Sequence, residues 1–153
     1  MSTHHSDDGR SRRGLLFVVL ALALVALAGY GYRQSAAPEP PAIAVAPAVY
    51  EFGVIGPTDV LTREFEVRND GGRRLEINRI STSCGCTTAD VDVTTIEPGG
   101  TTTLRVTFDP QAMGTDLSGA DIVRVVYLQS NDPDDPEVEV ELRGRVRANE
   151  EAP

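Results

Sequence analysis

The chain has 153 residues, a net charge of −9, no lysine and no tryptophan. Beyond Arg33 it carries 21 acidic residues against 10 arginines, a net charge near −11. Such a surface repels phosphate backbones and argues against nucleic-acid binding. Two cysteines are too few for a disulfide scaffold. Both histidines, His4 and His5, lie at the extreme N-terminus, so no Ser-His-Asp set can form in the rest of the chain and no enzyme is expected.

Residues 1–13 are polar and end in Arg10, Ser11, Arg12 and Arg13. An uncharged apolar run follows, from Leu15 to Tyr32. Its 18 residues would span roughly 27 Å as a helix, close to the hydrocarbon thickness of a bilayer of about 30 Å. Arginines before the run and tyrosines 30 and 32 at its far end predict a cytoplasmic tail over 1–13 and a transmembrane signal anchor over 14–32. The rest of the chain would then lie outside the membrane, periplasmic or extracellular. Ala26-Leu27-Ala28 offers a cleavage site, the competing reading. Ser11-Arg12-Arg13 resembles part of a twin-arginine export signal, which leaves the export route open.

Residues 33–47 are rich in alanine and proline, with prolines at 38, 40, 41 and 47, and read as a semi-rigid linker. A domain follows over 48–147, with a short tail over 148–153. Val49 to Ile55 reads as a first strand. Val60 to Arg68 alternates, with Phe65 and Val67 on one face, and Asn69-Asp70-Gly71-Gly72 is a turn. Arg74 to Ile80 is the next strand. Glu97-Pro98-Gly99-Gly100 is a turn, and Thr101 to Asp109 places Leu104, Val106 and Phe108 on one face. Ile122 to Gln129 is apolar on both faces, which predicts a central strand. Asn131 to Pro136 is a turn, and Val138, Val140 and Leu142 then alternate with Glu137, Glu139 and Glu141. The glutamates predict a solvated face that also guards an edge. Nothing after residue 33 has helical period. The pattern predicts an all-β domain, an antiparallel β-sandwich of about seven strands.

Six motifs occur in order: Tyr50-Glu-Phe-Gly-Val-Ile, Phe65-Glu-Val-Arg-Asn-Asp-Gly, Ile80-Ser-Thr-Ser-Cys-Gly-Cys-Thr-Thr, Ile96-Glu-Pro-Gly-Gly, Val106-Thr-Phe-Asp-Pro and Ser130-Asn-Asp-Pro. Together they resemble a bacterial family catalogued as domain of unknown function fifteen seventy-three, over residues 49–147. The resemblance implies an immunoglobulin-like fold, similar to the domains of Hydin, abnormal spindle and major sperm protein. Those relatives are largely interaction and scaffold modules, and the resemblance implies no activity.

Cys84-Gly85-Cys86 is the one chemically pointed feature. In an extended segment both thiols would share a face, with Cα atoms roughly 6.5–7 Å apart, at the limit for a disulfide. Gly85 permits a turn that brings them closer. Three readings stay open. The cysteines could be structural. They could be metal ligands, for which two soft sulfurs suit Cu(I) better than zinc. They could cycle between thiol and disulfide, an oxidising couple suited to the envelope. Asp109, Asp132, Asp134 and Asp135 invite a Ca²⁺ reading, but Asp-Pro sequences more often form turns. The sequence thus predicts a membrane-tethered envelope protein whose domain binds another envelope protein. The alternative is a copper-binding or redox protein that uses Cys84 and Cys86.

Overall fold

A computed structural model of the chain describes residues 18–27 and 38–148. Residues 18–27 form a helix, α1, whose Val18, Leu22 and Leu27 are exposed. Among the described residues no helix is long and apolar enough to cross a membrane. The rest of the expected anchor, 14–17 and 28–32, lies outside the described residues, as do the polar tail over 1–13 and most of the C-terminal tail.

The second unit is a β-sandwich of nine strands: β1 Ile43–Ala46, β2 Val49–Ile55, β3 Leu61–Asn69, β4 Leu75–Thr82, β5 Thr87–Val91, β6 Thr95–Ile96, β7 Thr101–Phe108, β8 Asp121–Ser130 and β9 Glu137–Val146. One sheet has the order β1-β3-β7-β5 and the other β2-β9-β8-β4-β6. Alternation decides which side of each strand is buried. Phe65, Val67, Leu104, Val106 and Phe108 face inward from the first sheet, and Ile122, Val126, Leu128, Val140 and Leu142 from the second. Period-2 side chains on a twisted pair of sheets bury one row each, which is the core.

Three expectations need correction. The sandwich is not wholly antiparallel, because β2 pairs with β9 in parallel, Val49 opposite Glu141 and Ile55 opposite Val146. It has nine strands rather than about seven. β1, β5 and β6 are short, and proline or turn residues crowd them, so they leave little alternation to read. The linker over 33–47 ends earlier than expected: Ile43–Ala46 pairs with Asn69–Glu66 of β3, and a cis Ala46–Pro47 bond leads into β2. Ile43 is buried and belongs to the core.

The glutamate face of β9 is solvated as expected, but it guards no edge, since β9 lies between β2 and β8. Gln129 Nε2 donates to Glu137 and Arg143 pairs with Glu141 across this face. β8 is central, flanked by β9 and β4.

Two loops close the end of the sandwich opposite the cysteines. Buried Asn69 donates to the carbonyls of Arg73 (2.8 Å) and Ile96 (3.0 Å), and its Oδ1 accepts from Gly71 N (3.0 Å) and Ala42 N (3.3 Å). Every polar atom of a buried amide is therefore paired, as burial requires.

Candidate functional site

The turn Ser83–Cys86 joins β4 of one sheet to β5 of the other. It is pinned on three sides. Ser83 exchanges two hydrogen bonds with Val125 of β8, N to O at 2.9 Å and N to Oγ at 3.0 Å. The Thr82 hydroxyl lies 3.0 Å from the carbonyls of both Cys84 and Thr87. Asp109 N donates to Cys86 O at 2.9 Å, tying the turn to the end of β7.

Within this turn Cys84 and Cys86 are joined as a disulfide, their Cα atoms 5.3 Å apart. The Gly85 turn brings them within bridging distance, closer than a straight strand would hold them. The bridge bears on the metal reading. Metal ligation needs thiolates, so Cu(I) could be held by Cys84 and Cys86 only after the bridge is reduced. Among the described residues no three His, Cys, Asp or Glu side chains gather for a metal ion.

The two sulfurs differ in their surroundings. Cys86 is 6% exposed and part of the core, whereas Cys84 is partly buried at its margin. Cys84 Sγ accepts from Cys86 N at 3.2 Å. Cys86 Sγ faces Arg124 of β8, whose Nε lies 3.1 Å away. The same guanidinium stands 5.7 Å above the Phe108 ring and donates through Nη1 to Val123 O at 2.8 Å. Among the described residues Arg124 has no carboxylate partner, unlike Arg68, Arg74, Arg105, Arg143 and Arg145. Beside the bridge lies a cavity of about 150 Å³, lined by both cysteines together with Pro110, Met113, Thr115, Leu117 and Arg124.

Arg124 lies 38 residues from Cys86, and no local motif joins them. A signal was present. In β8 the inward row runs Ile122, Arg124, Val126, Leu128. Arg124 interrupts that apolar row half-buried, and its guanidinium meets sulfur, a backbone carbonyl and the Phe108 ring.

A second feature lies along the same strands. β6 covers β4 only at Leu75 and Glu76, and Ile77 N donates to Thr94 O at 2.8 Å. Beyond Ile77, the outer edge of β4 has no strand partner among the described residues. The outer edge of β5 is equally open. Between them runs a cleft of about 300 Å³ lined by Asn78, Arg79, Ile80, Ala89, Asp90 and Val91.

The aspartates are turn formers. Asp132 is buried, and its carboxylate accepts from Ile43 N (2.8 Å), Asp134 N (2.9 Å) and Asp135 N (3.2 Å). Burial pushes its pKa up, but the three N–H donors outweigh burial and hold it below the usual carboxylate value. Asp109 accepts from Gln111 N at 2.9 Å. These oxygens serve the backbone, as the turn reading expects.

The profile of the family described as "Protein of unknown function (DUF1573)" matches residues 43–146, from the first residue of β1 to the last of β9. The chain belongs to this family. The DUF1573 domain superposes on a protein of unknown function from Porphyromonas gingivalis W83 with a TM-score of 0.63 and 25% identity. That match covers 71% of this chain and 48% of the other, so the chain spans about half the length of this relative. The ASH/PapD-like domain 7 of human CEP192 matches with a TM-score of 0.54 and 12% identity, over 74% of this chain and 91% of that one. The VesB protease of Vibrio cholerae matches with a TM-score of 0.55 and 11% identity, over 70% and 32%. The last two likenesses concern the fold alone. No curated protein matches the sequence.

Proposed function

We propose that the DUF1573 domain is a non-catalytic protein-binding module, tethered to a membrane by the apolar segment over 14–32 and facing the envelope. The observation that carries the binding reading is the open edge of β4 beside β5. Unpaired strand edges are templates for an added strand, and compact proteins normally cover or charge them. Here the edge borders a cleft with apolar flanks, Ile80, Ala89 and Val91, and two exposed charges, Arg79 and Asp90. An extended segment of another envelope protein would pair with the β4 backbone and place alternate side chains in the cleft.

The test is a photo-activated crosslinker at Asn78 or Asp90 in cells, compared with one at exposed Val123 on the outer face of β8, away from the cleft. Saturable crosslinks to a polypeptide are expected at the first two positions and not at the third. Equal labelling at all three would remove the edge from consideration.

The tether rests on the arginines before the apolar run, its length, and the helix over 18–27. A disulfide also fits an oxidising compartment. N-terminal sequencing of the protein from isolated membranes should return the encoded start. A start at Gly29 would mean release, and the tether would be wrong.

A further inference from the structure

We propose that Cys84–Cys86 is an exchangeable disulfide that takes two electrons from a polypeptide dithiol, with Arg124 as the positioning residue for the Cys86 thiolate. The inference does not depend on strand addition at the β4 edge. It rests on three observations: an arginine at a core-facing position without a carboxylate, its Nε 3.1 Å from Cys86 Sγ, and a cavity that opens beside the bridge.

The asymmetry of the pair sets the direction of attack. Both sulfurs border the cavity, but Cys86 is 6% exposed and Cys84 only half-buried, so an incoming thiolate reaches Cys84. Attack on Cys84 Sγ forms a new S–S bond to the partner and breaks the bond to Cys86. The electron pair leaves on Cys86 Sγ, where the guanidinium stabilises the thiolate. A thiol with a lowered pKa is the better leaving group. The partner's second thiolate then attacks its own sulfur in the mixed disulfide and expels Cys84. The partner ends as a disulfide, having lost two electrons and two protons. Cys84 takes one proton, Cys86 remains a thiolate, and the other proton goes to water.

The cavity selects the co-reactant. Its walls include Pro110, Met113 and Leu117, and about 150 Å³ is room for one apolar side chain beside the attacking cysteine. That favours a cysteine in a polypeptide over a small charged thiol.

The test uses the full chain in its oxidised form, mixed at equal thiol concentration with glutathione or with a reduced two-cysteine peptide carrying a leucine beside the first cysteine. Acid quenching and mass spectrometry give rates and the site of the mixed disulfide. The peptide should react about tenfold faster than glutathione, through Cys84. Reduced protein should show one thiolate by ultraviolet absorbance at neutral pH. Arg124→Gln should move that titration to higher pH and slow exchange about tenfold. Arg124→Lys keeps the charge and should restore part of both, and it replaces the glutamine variant if circular dichroism shows the latter unfolded. A bridge that reacts only after denaturation would overturn the proposal. So would a mixed disulfide on Cys86, or a thiolate titration indifferent to Arg124. Equal rates with both thiols would overturn the polypeptide assignment.

Discussion

Asp132 shows how one side chain ties the fold together. Its carboxylate holds the start of β1 through Ile43 N and the turn before β9 through Asp134 N and Asp135 N. The folded carboxyl titrates below its unfolded value of about 3.9, so the folded state binds fewer protons there. The stability this gives is complete above the unfolded value and is lost as pH falls through the lower, folded one. Asp132→Asn should cost about 1–3 kcal/mol near neutral pH by unpairing buried donors. It should also flatten the loss of stability below about pH 4, read from urea midpoints across pH. The turn character of Asn131 to Pro136 was legible in the sequence. The buried contact to Ile43 was not, because it joins residues 89 apart and no local pattern records it. Cys84, Cys86 and Arg124 divide the same way: the pair is obvious, and its arginine becomes visible only once β8 has an inner face.

At the scale of elements, the long strands were readable and the short ones were not. β3, β7 and β9 alternate over eight to ten residues, so their inner rows follow from the sequence. β6 has two residues and β1 four, too few for a period to appear. The parallel pairing of β2 was equally hidden, since both orientations bury the same alternation. What lets β2 lie so close to β9 is local. Gly53 has φ +72° at a register shift in β2, and Gly144 sits opposite in β9. A Cβ on Gly144 would lie 2.3 Å from a Phe52 ring carbon and 2.6 Å from Gly53 O. Gly144→Ala should therefore push β2 off the sheet. The expected cost is about 1–3 kcal/mol, with amide exchange rising in β2 before β3 or β7. Uniform loss of protection in all strands would show that β2 is not separately held.

For the whole molecule, composition was informative about class and silent about partner. The apolar segment, the acidic domain and the six ordered motifs pointed to an exported β-sandwich of this family, and the family and the sandwich are what the structure and comparisons bear out. The open side of the sandwich lies outside what composition can carry, because it depends on β6 stopping after two residues and leaving β4 uncovered. Strand addition at that edge would be reported by the backbone amides of β4. Hydrogen exchange should be followed over residues 78–82 in the full chain, once in native envelope vesicles and once after purification. The outward amides of β4 should be protected at least about tenfold in the vesicles and exchange freely in the purified protein. Identical exchange in both preparations would contradict strand addition.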